Sequence, residues 1–242
     1  MKKCLLTTCC IAAILSLVSC GDKVIKGEGS QTVQTPKVES FTSVQVEMPL
    51  KVTVNVRKGA KSSVKYSGYY NLISHIKTKV ENNVLFIGSD LDNRIAIDAK
   101  DVVVDISMPS MKEIYLSSNA GADVFGNITG EALKTTISGN GRLMIDSVNT
   151  EQFSFSSTGS AKLDIMNGTA RLASFSANGD FFIKAYPFQV QEASVSAKGQ
   201  GTCELTALKN LNTNIGQSCS LKYKGHPQMV KNPEGGTVYD AN

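Results

Sequence analysis

Hydrophobic and polar residues alternate with a period of two along most of the chain after residue 40. This period places successive side chains on opposite faces of a strand, and no long segment has the 3.6-residue period of an amphipathic helix. The pattern predicts an all-β protein. The clearest strand candidates are Val44, Val46 and Met48; Val52, Val54 and Val56; the apolar run from Val84 to Ile87; and Val102, Val104, Ile106 and Met108.

The second half of the chain repeats a short unit: an apolar residue, usually Ser, two small or polar residues, and usually Gly. Another apolar residue stands four positions after each unit. The first apolar residues are Leu116, Ile137, Phe155, Phe175, Val195 and Leu211, at spacings of 21, 18, 20, 20 and 16 residues. The second apolar residues are Val124, Ile145, Leu163, Ile183, Cys203 and Cys219.

A unit this short cannot bury an apolar face by itself, so the units must stack. Stacking gives each strand a partner about 4.8 Å away and aligns the apolar residues in inner columns, with an outward ladder of serines such as Ser156 and Ser176. This arrangement is a parallel β-helix, with a less regular β region before it. A β-sandwich of hairpins is the competing arrangement.

Three features in this order resemble the "head GIN domain" family of auto-transporter adhesins, which is common in lipoproteins of the Bacteroidetes. They are the segment Phe41-Thr-Ser-Val-Gln-Val, the segment Val102-Val-Val-Asp-Ile-Ser-Met-Pro, and the Ser-x-x-Gly repeats that follow. The resemblance covers about residues 40–225. It implies a right-handed parallel β-helix on the cell envelope with an adhesive role, and it supplies no catalytic residues.

The N-terminus has the layout of an export signal. Lys2 and Lys3 precede an apolar stretch that is too short to span a bilayer comfortably. The junction Leu17-Val-Ser-Cys20 resembles the bacterial lipobox, in which the cysteine receives a lipid and the signal before it is removed. Cys20 is therefore the predicted lipidation site.

This organisation divides the chain into three parts. Residues 1–19 form the signal, 20–39 a lipid anchor and flexible tether, and 40–242 a single β-helix domain. The tether prediction follows from a Gly, Ser, Thr, Gln and Lys-rich composition, which buries little apolar surface. The expected location is the outer membrane, on its periplasmic or its surface side, with the membrane as a partner through the lipid.

Charge excludes one class of partner. Without Lys2 and Lys3, 23 basic residues stand against 21 acidic ones, so a near-neutral surface gives no electrostatic reason to expect the binding of nucleic acid or of another polyanion. Glycans and envelope or host proteins are the expected ligands. Tyr66, Tyr69 and Tyr70 form a candidate contact patch on a stretch that reads as a loop, because tyrosine suits exposed binding surfaces.

The sequence has few histidine or acidic residues in a pattern typical of a catalytic or metal site, and we expect no catalysis and no cofactor. His75 and His226 are far apart and have no metal-ligand spacing. The acidic string Asp90, Asp92, Asp98, Asp101 and Asp105 lacks the distal Glu of an EF-hand loop, so we predict a solvated loop without a metal.

A carbohydrate-active β-helix enzyme, of the polysaccharide lyase or glycosidase type, is the alternative function. Asp146 and Asp164 stand at equivalent positions in the repeat alignment, and stacking would bring the two carboxylates together, as cleavage of a glycosidic bond requires. Their next counterparts are Lys184 and Glu204, which favours an ordinary mixed-charge outer face.

Cys203 and Cys219 are a candidate disulfide. The repeat alignment puts them in one inner column on adjacent strands, about 4.8 Å apart, which is within the Cα range of disulfides. Parallel Cβ vectors on neighbouring strands make a good bond dihedral hard to reach, so the alignment predicts proximity more firmly than a bond.

The anchor prediction is tested by Cys20→Ser. We expect this variant to lose acyl labelling and to leave the membrane fraction, because the thiol that carries the lipid is absent. Metabolic labelling with a fatty-acid analogue and fractionation measure both effects. Unchanged membrane partitioning would contradict the lipoprotein assignment.

Overall fold

The computed structural model describes residues 23–92, 95–228, 230–231 and 234–242. Strands make up 71% of the described residues and helices 3%, so the predicted all-β class is confirmed. No helix within the described residues is long and apolar enough to cross a membrane.

The described residues form sixteen strands and one short helix. They are β1 (Lys23–Ile25), β2 (Gln31–Gln34), β3 (Ser43–Val46), β4 (Lys51–Val56), β5 (Ser63–Tyr69), α1 (Tyr70–Ile73), β6 (Ile76–Glu81), β7 (Val84–Ser89), β8 (Ile95–Ile97), β9 (Val103–Met108), β10 (Glu113–Ser117), β11 (Gly121–Ser138), β12 (Gly141–Ile165), β13 (Gly168–Ile215), β14 (Cys219–Lys224), β15 (Val230–Lys231) and β16 (Thr237–Asp240), with a 3₁₀ turn at Ala99–Asp101 between β8 and β9.

Parallel pairing between successive segments dominates the second half of the chain. β10 pairs with β11, β11 with β12, β12 with β13, and β13 with β14, each in parallel register. The offset between β12 and β13 stays at 20 residues from Val148 opposite Gly168 to Asp164 opposite Lys184. A sandwich of hairpins would pair antiparallel, so the observed pairing argues against that alternative.

The long strands must bend. β13 contains 48 residues, which would extend about 160 Å if the strand were straight. Within β13 the Thr206 hydroxyl donates to the carbonyl of Tyr186, 20 residues earlier, so the strand returns alongside itself. The resulting sheet is curled and open.

The N-terminal region departs from parallel pairing, in agreement with the less regular region that the sequence predicts. β5 pairs antiparallel with β9 and with β2, and β6 pairs antiparallel with β7. β7 and β9 each continue into the parallel ladder on their other side, through β3 and β4. β5 and β6 therefore cover the first edge of the parallel ladder, where unpaired backbone groups would otherwise face solvent.

The flexible-tether prediction is wrong for part of its range. β1 pairs in parallel with β8, and β2 pairs with β5. The Asn71 side chain also accepts from the Glu28 amide at 3.0 Å and donates to the Lys26 carbonyl at 2.8 Å. Backbone pairing and this amide bridge order residues 23–34 although the segment contributes little to the core, which is why composition alone misread it.

The apolar core lies on the inner face of the ladder, where the alternation placed it. Leu116 stands opposite Ile137, and Phe155 opposite Phe175, as the repeat alignment predicted. All four side chains are buried. The ring centroids of Phe153 and Phe175 lie 5.6 Å apart, within the range of favourable aromatic pairs.

Two of the neighbouring pairs predicted for the inner column are wrong. Ile137 stands opposite Ser157, and Thr135 rather than Ile137 stands opposite Phe155. Thr135 occupies an inner position because its hydroxyl donates to the Ser154 carbonyl at 2.9 Å, which satisfies its polar group within the core. A motif search that accepts only apolar inner residues slips by two positions at such a site.

The second error is at the last unit. Gly216 donates its amide hydrogen to the Ala197 carbonyl, 19 residues earlier. The Gly139 amide donates in the same way to the Thr158 carbonyl, and there the preceding residue, Ser138, stands opposite Thr158. By the same geometry, Ile215 stands opposite Ala197. Leu211 is consequently level with Ala193, two positions from the predicted Val195. The cause is again a buried threonine, Thr213, which occupies the inner position opposite Val195.

Stacked glycines form one corner of the ladder. Gly159 stands opposite Gly179, and both have positive φ values, 91° and 117°. A Cβ on Gly179 would lie 2.3 Å from the Gly159 carbonyl oxygen, and a Cβ on Gly199 would lie 2.3 Å from the Gly179 oxygen. Only glycine permits both this backbone conformation and this close approach.

The core assignment is tested by Phe175→Ala. We expect a loss of about 3 to 5 kcal/mol in the free energy of unfolding, because a buried ring is removed and a cavity remains. Ser176→Ala, next to it on the exposed face, should change stability by less than about 0.5 kcal/mol. Chemical denaturation measures both, and equal losses would mean that the inner and outer faces are exchanged.

Candidate functional site

The three tyrosines predicted as a contact patch do not share a surface. Tyr66 lies in β5 with 2% of its surface exposed, and its hydroxyl shares a hydrogen bond with Thr78. Burial raises the pKa of Tyr66 to about 12. Tyr69 packs against Gly27, and only Tyr70 is well exposed. The loop prediction is therefore wrong for Tyr66 and Tyr69, since the β2–β5 pairing makes this stretch a strand.

Asp146 and Asp164 do not occupy equivalent positions. Met166 donates its amide hydrogen to the Ile145 carbonyl, which places Asp146 level with Met166 rather than with Asp164. The Asp146 carboxylate accepts from the Gly126 amide at 3.2 Å, and Asp164 pairs with Arg142 at 3.1 Å. Each carboxylate is thus committed to a separate structural contact.

Asp90, the first residue of the acidic string, is bound by side chains of its own chain. Asp90 contacts the Lys77 ammonium at 2.7 Å and the His75 ring at 2.9 Å. The hydrogen bond from Lys77, followed by that from His75, holds the pKa of Asp90 below its usual value. Across the described residues, no group of three or more His, Cys, Asp or Glu side chains is arranged to hold a metal ion.

The two cysteines are on neighbouring strands but are not opposite one another. Cys203 stands opposite Leu221, and Cys219 opposite Gly201, so the predicted common position is wrong by two residues. Both thiols are buried and free. The predicted lipidation site, Cys20, lies outside the described residues.

A groove crosses the outer face of the ladder along the stacking direction, and we call it the serine groove. Its volume is about 370 Å³. Two rows of side chains line it on successive strands: Ala132, Gln152, Leu172 and Glu192 in one row, and Lys134, Ser154, Ser174, Ser194 and Asn212 in the other. Strands about 4.8 Å apart give the five-membered row a length of about 19 Å.

The register fixes the order of the groove residues. Gln152 stands opposite Leu172, and Ser154 opposite Ser174, so hydroxyl groups recur at the strand spacing in the second row, whereas the first row varies. Short side chains leave room for a ligand above the sheet, while hydroxyl and amide groups face outward. Ala132 and Leu172 add apolar surface between them. The groove thus combines regularly spaced hydrogen-bonding groups with small apolar patches.

The groove has the composition of a binding surface. Glu192 is the one carboxylate among its lining residues, and Lys134 is already paired with Glu113 at 2.7 Å. Acid–base cleavage of a glycosidic bond uses two carboxyl groups. The lining therefore offers contacts to a ligand and no pair of groups to cleave it.

Sequence reasoning missed this groove. Its residues are outward neighbours of the core positions, and the signal that could have located them is the 20-residue recurrence of Ser154, Ser174 and Ser194. One repeat earlier the equivalent position is Lys134, so a search for recurring serines does not find the full row.

Comparison with known families assigns this all-β chain to a defined family. Residues 40–227 match the sequence profile described as "Putative auto-transporter adhesin, head GIN domain". The match covers most of the chain, and the protein belongs to this family. The resemblance inferred from the three sequence features is confirmed. Comparison with curated proteins finds no match.

Solved structures from Bacteroidetes are similar in fold. A "putative adhesin" from Bacteroides fragilis has a TM-score of 0.79 at 19% identity, covering 89% of this chain and 98% of its own. A "putative lipid binding protein" from Parabacteroides distasonis has a TM-score of 0.75 at 18% identity, covering 91% and 100%. A "putative adhesin" from Parabacteroides merdae has a TM-score of 0.71 at 18% identity, covering 91% and 100%.

The cysteine geometry predicts thiols that are unreactive in the folded state. Burial raises the pKa of Cys203 and of Cys219, so the reactive thiolate is scarce at both sites. In the chain from residue 21 onward, we expect Ellman's reagent to label neither thiol natively and both after denaturation in guanidinium. Failure to label them in the unfolded, unreduced chain would reveal a disulfide and contradict this geometry.

Proposed function

We propose that this protein is a non-catalytic binding module of the bacterial cell envelope, held to the outer membrane by a lipid on Cys20. In this proposal the domain is a right-handed parallel β-helix, and the serine groove is its ligand-binding surface. The ligand class is an extended glycan.

The β-helix is supported by the repeat register. Parallel partners separated by a constant 20 residues, together with strands that must bend, are what a coil of about 20 residues per turn requires. Crossover connections between parallel strands are right-handed in about 98% of cases, which supports the proposed hand.

The envelope location is supported by the N-terminal sequence and by the family. The lipobox-like junction before Cys20 follows an export-type leader. The family description names adhesins, and two of the structurally similar proteins carry the same word. A lipid-anchored domain with an adhesive role agrees with both, on either side of the outer membrane.

The serine groove is the observation that carries the binding function. A sugar chain presents hydroxyl groups at regular intervals beside apolar C–H surfaces. The groove presents hydroxyl and amide groups at the strand spacing beside Ala132 and Leu172. Its volume of about 370 Å³ lies within the range of small-molecule sites, which suits a few sugar units of a longer chain.

The enzyme alternative has no comparable support. Asp146 and Asp164 are each bound to a different partner, Gly126 and Arg142, and neither lines the serine groove. A glycosidase or lyase would need two carboxyl groups close together in a groove, so the binding module is the function that the geometry favours.

Filling the groove tests this function. We expect Ser174→Trp to lower the affinity for a bound neutral glycan at least about tenfold, because the ring occupies the space above the sheet. Ser176→Trp is the matched control, since Ser176 is exposed on the same strand, two residues away and outside the groove lining. Binding is measured on a panel of neutral polysaccharides such as mannan, xylan and dextran.

The same incubations separate binding from catalysis. We expect the polysaccharides to keep their chain length, with or without Ca²⁺. Reproducible cleavage that Asp146→Asn or Asp164→Asn abolishes would replace the binding module with the enzyme. Equal loss of binding in Ser174→Trp and Ser176→Trp, with both variants folded, would remove the groove as the ligand site.

A further inference from the structure

A second cleft lies at the corner between the end of β10 and the start of β11, on a part of the surface that shares no residue with the serine groove. Its volume is about 660 Å³. Four cationic side chains line it, and one carboxylate, Asp123, stands among them. The cations are Lys51, Lys100, Arg142 and Lys162. We call this feature the basic cleft.

The carboxylates near the cleft lie beneath the cations and orient them. Arg142 donates to Asp123 and to Asp164, at 3.1 Å in each case, and Lys51 contacts Asp123 at 2.7 Å. The acid side chains are 14% and 22% exposed, whereas those of Arg142 and Lys51 are 48% and 67% exposed. A ligand in the cleft therefore meets cations that are already held in place, which reduces the entropy lost on binding.

Two of the cations have no acid of their own. Lys100 and Lys162 make no ion pair with any described residue, although the chain has nearly equal numbers of acids and bases. The lining has four cations against Asp123, and with Asp164 beneath Arg142 the cleft keeps an excess of two positive charges.

Gly121 forms the floor between the cations. It stands opposite Lys51 on one side and opposite Arg142 on the other, so the α-carbons of those two residues are about 10 Å apart. A Cβ on Gly121 would lie 3.6 Å from the Arg142 carbonyl oxygen and 3.9 Å from Lys51 Cγ, which is ordinary contact. A larger side chain would fit here without backbone strain and would project into the cleft.

We propose that the basic cleft binds an anionic polysaccharide, one whose sugars carry sulfate or carboxylate groups. The oriented Arg142 and the unpaired lysines supply charge for the anionic groups. Asn119, Asn140 and Ser160, which also line the cleft, supply hydrogen-bonding groups for sugar hydroxyls. Charge and hydroxyl recognition thus occur side by side in one concave site.

The lining favours a polysaccharide over a lipid surface. None of the large exposed apolar side chains among the described residues lines the basic cleft, so the cleft offers nothing to insert among acyl chains. Its cations also line a concavity, whereas a flat bilayer reaches convex surfaces first. An extended chain with anionic groups can enter such a cleft.

The test uses the full chain carrying Cys20→Ser, so that no lipid anchor mediates contact with vesicles. The probes are chondroitin sulfate, polygalacturonate, dextran, and vesicles of anionic phospholipid. Lys100→Ala with Lys162→Ala removes the two unpaired cations. Lys198→Ala with Lys209→Ala is the matched control, because both lysines are exposed, lie outside the cleft and change the net charge equally.

A second pair of variants leaves the charge unchanged. Gly121→Gln fills the floor of the cleft, and Gly88→Gln is its control, since a Cβ on Gly88 has no atom within 4 Å. We expect binding to chondroitin sulfate, to polygalacturonate or to both, weakened by salt. Both cleft variants should lower that affinity about tenfold, while the controls change it less than about twofold. Polygalacturonate carries carboxylate groups without sulfate, so binding of chondroitin sulfate but not of polygalacturonate would identify sulfate as the recognised group.

Four results would overturn the proposal: no binding to either anionic polymer, binding to anionic vesicles alone, equal loss in the lysine control pair, or full binding by Gly121→Gln. Equal loss in the lysine control pair would mean that the polymer is attracted by diffuse surface charge. Full binding by Gly121→Gln would mean that Lys100 and Lys162 act outside the cleft. Because Ser174 lies in a different groove, failure here leaves the neutral-glycan result unaffected, and the reverse also holds.

Discussion

The 20-residue parallel register is the constraint on which the rest of the structure depends. Each segment hydrogen-bonds to the segment one repeat later, so inner and outer side chains align in columns across the strands. A change of one residue in this register would turn every core side chain to solvent. The buried rings of Phe155 and Phe175 and the stacked glycines Gly159 and Gly179 fit only one alignment, and together they fix it.

Function is built on the outer face by the same register. Because the inner columns are filled mostly by apolar residues, the outward positions are free to carry polar groups, which are then placed at the strand spacing. One set of positions produces the serine groove around Ser154 and Ser174. Another, where Gly121 interrupts the side chains between Lys51 and Arg142, produces the basic cleft. The two proposed ligand surfaces thus follow from one repeating backbone.

Polar groups inside the core explain where the repeat alignment failed. Thr135 occupies an inner position because a carbonyl of the next repeat accepts its hydroxyl hydrogen. Ser157 and Thr213 are also buried on the inner side. An alignment that expects only apolar residues at inner positions therefore placed Ile137, not Thr135, opposite Phe155. A slip of the same size at the last unit placed Cys219 opposite Cys203 instead of Gly201.

The sequence by itself determined the all-β class, the inward position of Phe155 and Phe175, the stacking of the repeats and the family, because strand alternation and repeat composition are local properties. Tertiary structure decided the rest. Pairing with β5 ordered residues 31–34 and buried Tyr66, which composition had assigned to a tether and to a loop. The grooves likewise depend on residues 18 or more positions apart in neighbouring repeats, and their adjacency exists only once the register is set.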